Sequence, residues 1–273
     1  MSLPVRRIPT YALMILIGAI HIIPFYILVN LATKSPQDVS SKWTPPSYLF
    51  LDNFTNAWQN ATLDKALINN IIITSSTVAI VIIIGALAAY PLSRFPTRLN
   101  NFVYTLSISF LIVPALTILV PLYKLMVDIG GINTYWGVIL CQVTFFLPIT
   151  IFIFTGFMRA IPRELDEAGL IDGCSRFEIF FRIIMPLLNP AISTVVILVG
   201  LGVWNDYQFS IFFLQKRQVQ TVPVALSQFI SQFQSNINWV AAGALLSALP
   251  IVIVYIFLQK YLIKGLTEGA IKA

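Results

Sequence analysis

Residues 161–186 read IPRELDEAGLIDGCSRFEIFFRIIMP, and the way this stretch folds decides how the rest of the chain is read. Pro162 suits a first helical position, and Glu164, Asp166 and Glu167 put negative charge where the helix dipole favours it. Ile161, Leu165 and Ala168 recur at helical spacing and form one apolar side. Gly173 fits the left-handed position that terminates a helix, next to Asp172. Ser175 with Glu178 three residues on is a capping box that starts a second helix. Phe177, Phe180, Phe181 and Ile184 give that helix an apolar stripe, and Pro186 ends it or bends it into the next apolar stretch. Each arm is about ten residues, hence roughly 15 Å long, half the hydrocarbon thickness of a bilayer. Neither arm can span. A charged helix–glycine–helix hairpin with apolar faces is suited to be gripped by another protein; the competing reading is that its faces rest on the lipid headgroups or on the cytoplasmic ends of the bundle.

The flanks of this hairpin are of a different kind. Ile129–Met158 before it and Ile183–Asn205 after it contain no Asp, Glu, Lys, Arg or His. Ala66–Ser93 and Leu99–Tyr123 share that property, as does Gln218–Gln259. The last opens with Gln228, Ser231, Gln232, Gln234, Ser235, Asn236 and Asn238, so only Val240–Leu258 is a credible span. Ile8–Thr33 is interrupted only by His21. A span needs about 20 apolar residues, and a charge at its centre costs about 2.5–3.5 kcal/mol. Six transmembrane helices are expected. Composition agrees: 58% of 273 residues are hydrophobic and 10% charged, against about 25% charged in soluble domains. The mean hydropathy is +0.84.

Ile8–Thr33 is expected to be a retained helix, because its apolar run exceeds the roughly 7–15 residues of a signal-peptide core. With the N-terminus inside, inner segments hold eleven Lys and Arg and outer segments six. The positive-inside rule then places both termini in the cytoplasm. The net charge of +6 is scattered over helix ends and gives little reason to expect nucleic acid. Cys141 and Cys174 fall in different environments, and no metal-ligand spacing includes the single histidine. No G-x-x-x-x-G-K-[ST] occurs, so no nucleotide or other cofactor is expected on this chain.

Two loops are long enough to be functional: Arg159–Arg182 on the inner side and Gln215–Trp239 on the outer. The outer loop reads either as a solvated cap or as a docking surface. The outer segment Ala32–Lys65 reads as a loop followed by a short surface helix over Asp52–Leu67. Its triplets at Asn53 and Asn60 match the glycosylation acceptor but carry little weight. His21 is expected to be a buried packing residue rather than a proton relay, and Asn69 and Asn70 to cap the second span. Tyr135 and Trp136 fit an interfacial belt.

The hairpin resembles the "EAA" signature of permease subunits of ATP-binding-cassette importers: Glu-Ala-Ala, three residues, Gly, nine residues, Ile, one residue, Leu-Pro. Here Glu167-Ala168-Gly169, Gly173, Ile183 and Met185-Pro186 stand at those spacings, with Gly169 in place of the second Ala and Met185 in place of Leu. Trp204-Asn205-Asp206 and the stretch from Ser247 through Pro250 to Lys272 are similar to elements of the maltose-type second permease, so the likeness covers about residues 67–273.

The resemblance implies an all-α, six-helix permease of the type I importer fold, with a first helix and extracytoplasmic segment over 1–66, a five-helix core over 67–262 and a cytoplasmic tail over 263–273. It implies that Glu167, Ala168, Gly169, Asp172, Gly173, Ile183 and Pro186 couple the chain to a cytoplasmic ATPase dimer that binds the ATP. It further implies a second homologous permease subunit, an extracytoplasmic solute-binding protein at Gln215–Trp239 and residence in the inner membrane of a prokaryote. Asn205 and Asp206 are candidates for the solute path, against the simpler reading of a polar pair at a helix end. A carbohydrate is the expected solute. Glycerol phosphate, an amino acid or a peptide, or an ion-coupled carrier or channel, are the alternatives.

Overall fold

The computed structural model describes residues 8–230 and 236–270, and over these the chain is built of helices. Four are long and apolar enough to cross a membrane: Thr10–Thr33, Leu63–Arg94, Tyr135–Ala160 and Ile237–Phe257. Two bent pairs bring the number of candidate spans to six. Arg98–Ile112 meets Ala115–Asp128 at 92°, and Arg176–Leu187 meets Asn189–Trp204 at 71°. Helices are the form expected in hydrocarbon, because they satisfy their backbone groups internally.

The third span is therefore not the continuous helix that its charge-free run suggests. Val113, which precedes Pro114, is extended (φ −74°, ψ 117°), as the proline ring requires of the residue before it. The second span starts at Leu63, three residues ahead of the expected Ala66, so the surface helix is confined to Asp52–Asn60. The fourth begins only at Tyr135, where the Thr134 hydroxyl accepts from the Gly137 amide at 3.2 Å.

The chain divides into two compact units. One is Met1–Asp64 with Ala225–Leu249. In it the Asn53 amide donates to the carbonyls of Ala32 and Lys34 at 2.9 and 2.7 Å, and the Asn238 amide to those of Leu31 and Lys34 at 3.0 and 3.1 Å. Asn53 is buried, and its side-chain nitrogen is engaged by those two carbonyls. His21, expected to be buried, is exposed on this chain and turns its Nδ1 to the Ile17 carbonyl at 2.7 Å. The most apolar window of the first span has no part buried within the chain. Residues 231–235, part of the polar opening ahead of the sixth span, lie outside the described residues, as do Arg6, Arg7 and Lys272.

The other unit is Lys65–Val224 with Pro250–Ala273. Its core joins the second, fourth and fifth spans through residues such as Val81, Val138, Phe154, Met158, Val195 and Val199. Asn69 and Asn70 do not cap the second span; they lie inside it and are buried. The Asn69 amide donates to the carbonyls of Gln218 and Gln220 at 3.0 and 2.9 Å, and its oxygen accepts from the Tyr135 hydroxyl at 2.6 Å. The Asn70 amide donates to the Trp204 carbonyl at 3.0 Å. Much of the loop after the fifth span is thus packed rather than solvated: Gln220, Thr221 and Val222 are buried.

An unsatisfied buried polar group costs about 1–3 kcal/mol, so Asn69→Leu, which takes a partner from two carbonyls and from the Tyr135 hydroxyl, is expected to destabilise by about 2–6 kcal/mol. Tyr135→Phe, which gives up one hydrogen bond, should cost about 1 kcal/mol. Thermal unfolding in detergent checks both, and an unchanged midpoint in Asn69→Leu would count against the tether.

Candidate functional site: the 161–187 hairpin

The first arm is helical over Glu164–Ile171, with Arg163 at its N-cap. Pro162 therefore stands just ahead of the helix rather than at its first position. Glu164, Asp166 and Glu167 fill the first turn, as the dipole favours. The arm ends in a full Schellman motif: Cys174 donates its backbone N–H to Gly169 at 2.9 Å, and Gly173 to Leu170 at 3.1 Å. Gly173 has φ +81°, the conformation that the sequence demands of it.

The capping box is present as expected. The Ser175 hydroxyl accepts from the Glu178 amide at 3.3 Å, and the Glu178 carboxylate accepts from the Ser175 backbone N–H at 2.9 Å. The second arm, Arg176–Leu187, is not a plain α-helix. Ile179–Ile184 is π-helical, with one extra residue in the turn. Ile179, Phe180 and Ile184 are buried, while Phe177 and Phe181 of the expected stripe stay exposed. The bend into the fifth span follows Pro186 and falls at Leu188, between the paired helices.

Gly169 is where the arms touch. A Cβ there would stand 2.9 Å from Ile179 Cγ1 and 3.0 Å from Ile183 Cδ1, closer than side chains accept without yielding. Gly169 and Ile183 thus meet inside the hairpin. Glu167, Ala168, Asp172, Gly173 and Pro186 are on its exposed surface. Several large apolar side chains share that exposure, among them Leu170 at 53%, Ile171 at 86% and Phe177 at 72%.

Asn205 and Asp206 lie at the opposite end of the fifth span, about 24 Å away by the helical rise of 16 residues. The exposed Asn205 follows the helix and donates back to the Leu201 carbonyl at 2.9 Å. The Asp206 carboxylate accepts from the backbone N–H of Phe209 and Ser210 at 3.2 and 2.9 Å and from the Ser210 hydroxyl at 2.7 Å. It initiates the short helix Ser210–Phe213. Burial raises its carboxyl above the usual range, and those bonds offset the rise only in part.

The residues that sequence reasoning missed come from the end of the second span. The Arg94 guanidinium pairs with the Asp166 carboxylate at 2.9 Å and donates to the Ile161 carbonyl at 2.9 Å. The Tyr90 hydroxyl donates to Asp166 at 2.9 Å, and its ring lies 5.3 Å from that of Phe180. Arg176 stacks over Phe95 at 4.7 Å. A pocket of about 130 Å³ opens to the surface here, its lining including Tyr90, Arg94, Arg163, Asp166 and Arg176. Contacts that bridge some seventy residues leave no local signature, and in the sequence Arg94 is only one more positive charge on the inner side.

Residues 81–268 match the family model described as "Binding-protein-dependent transport system inner membrane component". The chain is 45% identical over 258 residues to the melibiose/raffinose/stachyose import permease protein MelC of Bacillus subtilis (strain 168), covering 94% of each chain. It is 32% identical to the probable starch degradation products transport system permease protein AmyC of Thermoanaerobacterium thermosulfurigenes, again over 94% of each. In fold it is similar to a chain of a bacterial ATP-binding-cassette transporter involved in import of the acidic polysaccharide alginate, with a TM-score of 0.77, 20% identity, and 93% of this chain and 96% of that one covered. With its apolar spans and its glycine-turned hairpin, the chain belongs to the family of binding-protein-dependent transport system inner membrane components.

Proposed function

We propose that this chain is the permease subunit of an ATP-binding-cassette importer for a di- or oligosaccharide, working by alternating access driven by a partner ATPase dimer. The observation that carries the reading is the exposed face of the hairpin. Leu170, Ile171 and Phe177 are held out beside Glu167 and Asp172 by a rigid double-capped turn. Apolar surface left in water costs about 25 cal/mol per Å², so a groove that covers these side chains gains what they lose. Asp172 caps the C-terminal end of its helix, where the dipole disfavours a carboxylate by about 0.3–1 kcal/mol. Its place is better accounted for by a basic residue of a partner than by the helix it ends.

In this reading the hairpin is cytoplasmic, as are both termini, which the Lys and Arg asymmetry supports. Closure of the ATPases around nucleotide pushes the hairpin, and the spans rock between inward- and outward-open states. The ATP site belongs wholly to those partners, and this chain supplies no catalytic group. The first span, with its apolar window unburied, faces lipid or the second permease subunit. The core over 67–262 then carries transport, and 263–273 is a cytoplasmic tail. An extracytoplasmic binding protein delivers the solute to the outer ends, as the family description supports. The membrane is the inner membrane of a prokaryote. The solute class rests on the names of the relatives, and Asn205 and Asp206 stay at the margin of its path.

Two experiments test this reading. In proteoliposomes holding the full complex, MgATP should drive uptake of at least one of melibiose, raffinose, stachyose or maltose. Uptake of glycerol phosphate, an amino acid or a peptide instead would overturn the solute class, and uptake without the ATPase would overturn the mechanism. Glu167→Lys and Gly173→Asp should leave the protein inserted and ATP hydrolysed while uptake falls about tenfold or more, the equivalent of about 1.4 kcal/mol or more of lost docking. Uptake at the parent rate in both variants would count against the hairpin as the docking element.

A further inference from the structure

Arg94 is the last residue of the second span, and Asp166 lies in the first turn of the hairpin's first arm. A cation at a helix C-terminus and an anion at a helix N-terminus are each favoured by the dipole of their own helix. Here the two ends are brought together, and the charges pair at 2.9 Å with side-chain exposures of 5% and 16%. The same guanidinium donates to the Ile161 carbonyl in the short link from the fourth span. Tyr90, one turn earlier, touches both arms: its hydroxyl reaches Asp166 in the first, and its ring packs on Phe180 in the second. The hairpin is joined through the backbone to the fourth and fifth spans only. Among the described residues this cluster of polar side chains ties it to the end of the second span, beside a pocket that the same residues line.

We propose that Tyr90, Arg94 and Asp166 form the joint that makes the second span move as one body with the hairpin. They are positioning residues for transport, acting through the hairpin and touching neither solute nor nucleotide. The inference rests on the hairpin being the element that the ATPases grip. Were the cluster only a packing contact, its loss would lower the amount of assembled complex and leave the movement of what assembles unchanged. As a joint, its loss lets the hairpin move while the second span lags.

The test uses the full complex with Cys141 and Cys174 replaced by serine and spin labels at K65C and E164C, both exposed, the first near the far end of the second span and the second in the hairpin's first arm. Immobilisation of the E164C label when the ATPase subunits are added reads docking alone. The distance between the labels is then measured with and without MgATP and vanadate. In the parent it should change by less than about 2 Å, whereas in R94Q and D166N it should shift by about 5 Å or broaden to match, the scale of a one-turn slip. Y90F, which removes one hydrogen bond and no charge, should broaden it less and guards against variants that fail to assemble. An E164C label that stays mobile overturns the docking reading. An immobilised label with parental distances in R94Q, D166N and Y90F overturns the joint and leaves the docking reading standing.

Discussion

A guanidinium that closes an apolar helix has few options. Arg94 is buried where the second span ends, and an unpaired charge there would cost several kcal/mol after relaxation. Asp166 answers it, and by doing so fixes where the first arm of the hairpin must begin. The rest of the hairpin is built from that anchor. The Schellman turn at Gly173 sets the direction of return, Gly169 sets how closely the arms approach, and the capping box at Ser175 starts the second arm without a gap. Apolar side chains end up outside because the inner contacts are already taken by Ile179, Ile183 and Phe180.

A second device recurs in both units. Asn53, Asn69 and Asn238 each use one side-chain amide to hold two backbone carbonyls of a segment distant in sequence. The carbonyls belong to chain leaving a helix or passing between helices, where no backbone partner is at hand. Two N–H groups on one rigid plane satisfy both at once, which is why asparagine rather than serine stands there. Among the described residues, the loops after the first and fifth spans are tied to their helices by this means.

Much of this is legible in the chain itself. Charge-free runs locate the spans because lipid penalises ionised groups more heavily than any local propensity. Gly173 and the Ser175–Glu178 pair are readable because capping chemistry is confined to neighbouring residues. The break at Val113 is hidden because a proline inside a span is often tolerated, and several here are: Pro24, Pro91, Pro148 and Pro250 sit inside continuous helices. Asn69 reads as a cap because its partners, Gln218 and Gln220, lie some hundred and fifty residues on. The exposed Phe177 and Phe181 belong to a stripe that only a regular 3.6-residue turn would produce.

That irregular turn has a consequence of its own. Each residue of an α-helix advances the chain by about 100° around the axis, so one surplus residue in Ile179–Ile184 sets the rotational phase of everything after it. Pro186, the bend at Leu188 and the lipid-facing and inward-facing sides of the fifth span all inherit their orientation from it. Length between the glycine turn and the proline therefore matters more than the side chain beside the proline: Met185→Leu would disturb little, whereas losing one residue would turn the fifth span by more than a quarter of a circle.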